Sequence, residues 1–140
     1  MEQVTVTRRV AAPPADVREA IADVGWFMRA ADFTDVTVEG DVVAIENRVG
    51  LATMGLTVDL VDVPGAALAY EQREGMFDEM QTRVEVAQDG DGSEVTATTE
   101  FELGHGLVGS ALDATLVARQ RRKELTAQLD ALVERFGEGG

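Results

Sequence analysis

The residues with chemical potential in this sequence are few and scattered. His105, set between Gly104 and Gly106, is the only histidine, and there is no cysteine. One imidazole without thiolates does not make an ordinary zinc site. Imidazole titrates near neutrality and suits acid–base work, but the glycines on either side predict a turn with a solvated ring. Ser110 and Asp113 follow on what reads as a helix, at spacings that turn them to other faces, so no nucleophile–base pair is expected. Ser93 falls in a hairpin turn and is no better placed. The run DGDGSE, Asp89 to Glu94, has the look of a calcium loop. An EF-hand requires glycine at its sixth position, where this run has Glu94, so it reads as a hairpin turn. GLVGSA, Gly106 to Ala111, is a weak likeness of a phosphate-binding loop at a helix start. Arg119, Arg121, Arg122 and Lys123 make the one basic cluster. They read as the solvated back of a helix, pairing with Glu124 and other acids for a few tenths of a kcal/mol each, on the order of surface helix pairs. No catalytic residue, metal ligand or cofactor is assigned.

Chemistry this sparse shifts attention to the elements that would hold a ligand. The chain has 140 residues, the size of one domain with one substantial core. No apolar run approaches the roughly 20 residues of a membrane span, and the N-terminus lacks the pattern of an export signal. A cytoplasmic location is expected, in keeping with the missing cysteines. Twelve basic residues stand against 26 acidic ones, a net charge of −14, and Lys123 is the only lysine. Such a surface repels phosphate backbones and anionic membranes, which argues against nucleic acid and against membrane docking or insertion. Two readings of the charge remain: a docking surface for a basic partner, or adaptation to a saline cytoplasm, where self-repulsion is screened. The scarcity of lysine resembles proteins of halophilic archaea, and the saline reading is adopted. The identity of any protein partner is left open.

Val4 and Val6 alternate with Thr5 and Thr7 and predict a first strand, halted at Ala12-Pro13-Pro14. Val17, Ala20, Ile21 and Val24 give one apolar helical face, with Asp16 in or near the first turn and Gly25 ending or bending the helix. Trp26, Phe27 and Met28 fall in a second short helix before Phe33. From there the period becomes two. Val36-Thr37-Val38 meets Val43-Ala44-Ile45 across Gly40. Leu56, Val58 and Leu60 run to Pro64-Gly65, and Leu68, Tyr70 and Gln72 follow it, with a break at Gly75. Met80, Thr82, Val84 and Val86 share one face before Asp89-Gly90-Asp91-Gly92, and Val95, Ala97, Thr99, Phe101 and Leu103 share one after it. The outward partners are polar, so this is an antiparallel meander with one wet and one covered face. A long amphipathic run, His105 to Phe136, closes the chain.

The order is strand, two short helices, six antiparallel strands and one long helix, an α+β arrangement in which only the last helix is long enough to cover the inner face of the sheet. This order, with local runs such as VAAPPADVREAIADVGWF, resembles the START-related superfamily of lipid-transfer domains, polyketide cyclases and the birch-pollen allergen. The resemblance implies a helix-grip fold over residues 1–136, with 137–140 as a flexible tail, and a ligand cavity between the sheet and the C-terminal helix. Along that helix the buried stripe reads Phe136, Val133, Leu132, Leu129, Leu125, then Ala118, Ala114, Ala111 and Leu107, thinning toward the N-terminal end. Small residues there mean either that helix and sheet approach closely or that a space is left. The cavity expected from the resemblance would be walled by Ile45, Val49, Leu56, Val58, Leu68, Met80, Val84, Ala97, Thr99 and Phe101 from strands and by Leu107, Ala111 and Ala114 from the helix. Asn47, Tyr70, Gln72 and Glu74 share parity with inward residues and would orient a ligand where they reach it, although Glu74 beside Gly75 reads as solvated. Trp26, Phe27, Met28 and Phe33 would either form a lid or cap the bottom of the core.

Three functions follow. The first, and the one adopted, is non-enzymatic binding or transport of a small hydrophobic ligand, such as a lipid or isoprenoid. The second is an enzyme similar to the polyketide cyclases and aromatases, with Tyr70, His105 or a buried carboxylate as acid or base. The third is a protein-interaction module similar to the chaperone activators. Two or more ionisable groups converging on the cavity would favour the second; a filled core beside an exposed apolar patch would favour the third.

Overall fold

In the computed structural model, residues 2–49, 52–103 and 114–137 are described. Strand β1 (Glu2–Val10) is followed by helices α1 (Pro14–Ala22) and α2 (Val24–Arg29). Strands β2 (Asp35–Glu39), β3 (Val42–Val49), β4 (Ala52–Leu60), β5 (Leu68–Glu74), β6 (Phe77–Asp89) and β7 (Gly92–Leu103) come next, and then helix α3 (Ala114–Phe136). The seven strands form one antiparallel sheet in the order β1-β7-β6-β5-β4-β3-β2. Every neighbour except the β1–β7 pair is consecutive in sequence, the signature of a meander closed by its first strand. This is the α+β helix-grip arrangement expected from the element order.

The period-two pattern turns the expected side chains inward. Met80, Thr82, Val84 and Val86 on β6 and Val95, Ala97, Thr99 and Phe101 on β7 are buried, while Gln81, Glu85 and Glu102 face out. Thr82 lies opposite Thr99, and Met80 opposite Phe101. The β2–β3 register pairs Val36 with Ile45 and Val38 with Val43, around Gly40 at φ 60°. A side chain at that φ is strained, which explains glycine there. Register shifts opposite Thr57/Val58 and between Phe77 and Glu79 leave one extra residue on β5 and one on β6, irregularities that locally increase strand twist.

Two expectations about the helices are corrected. The break after α1 falls at Asp23, not at Gly25: Asp23 adopts φ −77°, ψ 78°, and its carboxylate accepts from the Trp26 N–H, starting α2. Gly25 sits inside α2. Gly137, read as the start of the tail, instead caps α3: it has φ 94°, donates to the Val133 carbonyl and accepts from the Ala11 N–H at 3.0 Å. A left-handed residue after the last turn satisfies carbonyls that the helix cannot.

The C-terminal half of α3 buries Leu125, Leu129 and Leu132 completely, as its leucine stripe predicts. Its N-terminal half does not follow the alanine stripe. Val117, Arg121 and Glu124 are the buried residues there, while Ala114 and Ala118 are only half-buried.

Candidate functional site

Arg121 is 5% exposed and Glu124 3%. The expectation that Arg121 lies on a solvated helix back is therefore wrong, although Arg119, Arg122 and Lys123 are outside as expected. The physical reason is helical geometry. Stepping back four residues from Leu125 lands on Arg121, and a charge can occupy that inward position because its partner is one turn away. Arg121 Nη1 donates to Glu124 Oε1 at 2.5 Å. Arg121 Nη2 donates to the Thr82 and Thr99 hydroxyls, each at 3.1 Å, and those two hydroxyls are 2.9 Å apart. Across the helix, Glu124 Oε2 accepts from Asn47 Nδ2 at 2.6 Å and from Gln120 Nε2 at 3.1 Å. One inward ion pair thus ties α3 to β3 on one side and to β6 and β7 on the other. Burial disfavours the charge on Arg121, but the Glu124 carboxylate and the Tyr70 hydroxyl beside it outweigh that and hold the guanidinium above its ordinary pKa.

This network borders a space between sheet and helix. Phe33, Ile45, Leu56, Met76, Phe77 and Val117 supply its apolar wall, Gly55 a gap in that wall, and Asn47, Gln120, Arg121 and Glu124 its polar side. Phe77 stacks obliquely on Phe101, ring centres 5.3 Å apart, and so rests on the deep core. The space is about 40 Å³, well below the roughly 300–1,000 Å³ of a pocket for a drug-sized molecule.

Of the site residues read from the sequence, Ile45, Asn47 and Leu56 line this space. Val58, Leu68, Tyr70, Met80, Val84, Ala97, Thr99 and Phe101 are buried in the surrounding core. Gln72 is occupied elsewhere: its amide donates to the Phe77 carbonyl and accepts from the Phe77 N–H, closing the β5–β6 turn. Glu74 is exposed. Phe27 and Met28 are fully buried, and the Phe27 carbonyl accepts from Gln128 Nε2 at 3.2 Å, so this part of α2 plugs the core. Trp26 lies away from the space, under the guanidinium of Arg135 at 4.8 Å from the ring centre; of the four aromatic and methionine candidates for a lid, Phe33 is the one that lines it. Ala114 is not among the described lining residues. Leu107 and Ala111, like His105, Ser110 and Asp113, lie outside the described residues, as does the side chain of Val49. Reading from the sequence missed Gly55, Met76, Phe77, Val117, Gln120 and the Arg121–Glu124 pair. A signal for the pair was present, since opposite charges three apart interrupt an otherwise apolar helical face.

Ser93 serves structure: its hydroxyl is buried and donates to the Ala12 carbonyl at 2.7 Å. Asp89 to Glu94 form the β6–β7 hairpin, with Gly90 at φ 60° and Asp89 paired to Arg9. Among the described residues, no group of three or more His, Cys, Asp or Glu side chains is arranged to hold a metal. No helix of the described residues is long and apolar enough to cross a membrane.

With sheet, gripped helix and the space between them in view, comparison with known proteins assigns a family. The chain belongs to the family described as polyketide cyclase/dehydrase and lipid transport, whose profile matches residues 1–137. Comparison with curated proteins gives no match. Among solved structures, a Thermus thermophilus protein is 20% identical with a TM-score of 0.75, covering 96% of each chain. A START superfamily protein of Mycobacterium smegmatis is 14% identical with a TM-score of 0.68, again over 96% of each chain. An aromatase/cyclase of a Streptomyces species is 24% identical with a TM-score of 0.70, over 96% of this chain and 94% of that one. At these identities the structural likeness establishes the shared helix-grip fold.

Proposed function

We propose that this protein binds a small, mainly hydrophobic molecule between the sheet and α3. The observation that carries this reading is the space between sheet and α3, walled mainly by the apolar side chains of Phe33, Ile45, Leu56, Met76, Phe77 and Val117. Its size requires that Phe33, Leu56 and Met76 swing aside when a ligand enters; all three are only partly buried. A lipid- or isoprenoid-like molecule fits the aliphatic and aromatic character of that wall. Native mass spectrometry of the protein from its own host, with titration of the neutral fluorophore N-phenyl-1-naphthylamine, tests the reading. A retained apolar ligand or saturable fluorescence, lost in Val117→Phe while the fold persists, is expected. If no ligand is retained and no probe binds, the core is simply filled and the reading fails.

A second reading is an acid–base enzyme of the cyclase kind, favoured by Arg121 and Glu124 on the space and by the Tyr70 hydroxyl beside Arg121. Against it, both Glu124 oxygens already accept hydrogen bonds, which leaves Tyr70 as the group to give or take a proton. Turnover of a bound polyketone that disappears in Tyr70→Phe, with binding retained, would replace the carrier reading with this one. The interaction-module reading draws no comparable support, because Val63 is the one large apolar side chain exposed among the described residues.

A further inference from the structure

We propose that the buried end of the ligand carries an uncharged oxygen acceptor, such as a ketone, ester or ether oxygen, and that the Nε–H of Arg121 is the donor that recognises it. This rests on the binding reading above and narrows it. Arg121 Nη1 and Nη2 are engaged by Glu124, Thr82 and Thr99. Nε is the one buried side-chain nitrogen or oxygen among the described residues with no protein partner. It belongs to a residue that lines the space. A buried guanidinium N–H without a protein acceptor is costly, and an acceptor delivered there removes the cost. The charge state of the acceptor follows from the surroundings. Glu124 already neutralises Arg121, and its carboxylate borders the same space, so a ligand carboxylate would meet a like charge in a low-dielectric setting. A neutral oxygen gains the hydrogen bond without that repulsion. A pure hydrocarbon fills the apolar wall but leaves Nε unpaired.

Matched probes of one chain length test this by calorimetric or mass-spectrometric titration: octane, 2-octanone and octanoate. The parent protein is expected to bind 2-octanone roughly tenfold more tightly than octane, the worth of one hydrogen bond to a charged donor, and octanoate more weakly than the ketone. Two variants remove the donor differently. Arg121→Lys keeps a cation for Glu124 and loses the Nε–H position, while Arg121→Met/Glu124→Leu replaces the pair with apolar side chains and leaves no buried charge unpaired. In either one that folds, the ketone-over-octane preference should vanish with octane binding retained. Equal binding of octane and 2-octanone to the parent, as when a resident water already satisfies Nε, overturns the inference and leaves the binding reading standing. Octanoate binding best, or a ketone preference that survives both substitutions, overturns it as well. If none of the three probes binds while N-phenyl-1-naphthylamine does, the inference falls alone; if that probe fails too and no ligand is retained, the binding reading falls with it.

Discussion

Arg121 and Glu124 are the residues on which site and stability meet. Taking one member from a buried pair strands the other charge, so Arg121→Met alone should destabilise the fold by about 3–5 kcal/mol, whereas Arg121→Met/Glu124→Leu should recover most of that. Urea unfolding of the parent and both variants checks it; equal losses in single and double variants would mean that the pair contributes net stability. Because the pKa of Arg121 is raised in the fold, its contribution is fully present below its ordinary value and is lost only at strongly alkaline pH, so this group gives no pH dependence near neutrality. Gly75 is constrained by close approach. A Cβ there would come within 2.6 Å of both Gln72 Oε1 and Leu56 Cδ1, and Gln72 is held by Phe77 while Leu56 lines the space. Gly75→Ala should cost about 1–3 kcal/mol through overpacking and should alter ligand binding by displacing Leu56. A thermal midpoint and a probe affinity both equal to the parent's would show that Leu56 yields freely.

Helix α3 is the element that joins the two functions of the core, with leucines sealing its C-terminal half and a polar network holding its N-terminal half over the space. The two halves should respond differently. Leu129→Ala should cost about 2–5 kcal/mol, the range for a buried leucine truncated to alanine, and should leave probe binding little changed in the folded fraction. Val117→Phe should abolish binding with a smaller loss of stability. At the helix end, Gly137→Ala forces a β-carbon into φ 94° and should cost about 1 kcal/mol. Denaturant midpoints of these three variants measure the ordering, and a Gly137→Ala variant as stable as the parent would mean that the chain finds another way to end the helix. At this scale α3 is also tied across the sheet, because Asn47 on β3 and Thr99 on β7 reach the same turn of the helix.

Over the whole molecule the dominant quantity is the charge of −14. Several arginines are committed to acids: Arg8 to Asp130, Arg9 to Asp89, Arg73 to Asp59, and Arg83 to Glu85 and Glu100. Exposed pairs of this kind contribute little each, and the 26 carboxylates still outnumber the 12 cationic side chains. Repulsion among them reaches about 10 Å at 0.1 M salt and about 3 Å at 1 M. The thermal midpoint should therefore rise steeply from dilute buffer to molar potassium chloride, with chloride achieving most of what a more strongly excluded salt achieves. That is the outcome expected of a protein suited to a saline setting. A midpoint that stays flat across the range would instead favour a localised acidic patch for a basic partner.

Local patterning was enough to determine the elements, their order and which strand faces turn inward, because period two and the turn glycines act through neighbours along the chain. The leucine half of α3 and the wall residues Ile45 and Leu56 were legible for the same reason. What only the tertiary structure decided is which inward polar groups find partners. Arg121 reads as solvent-facing in any local window. Its place inside depends on Glu124 one turn later, itself held by Asn47 77 positions before it, and on Thr82 and Thr99 from two paired strands. A buried charge is tolerable only when such partners converge, and their convergence is a property of the folded sheet around the helix.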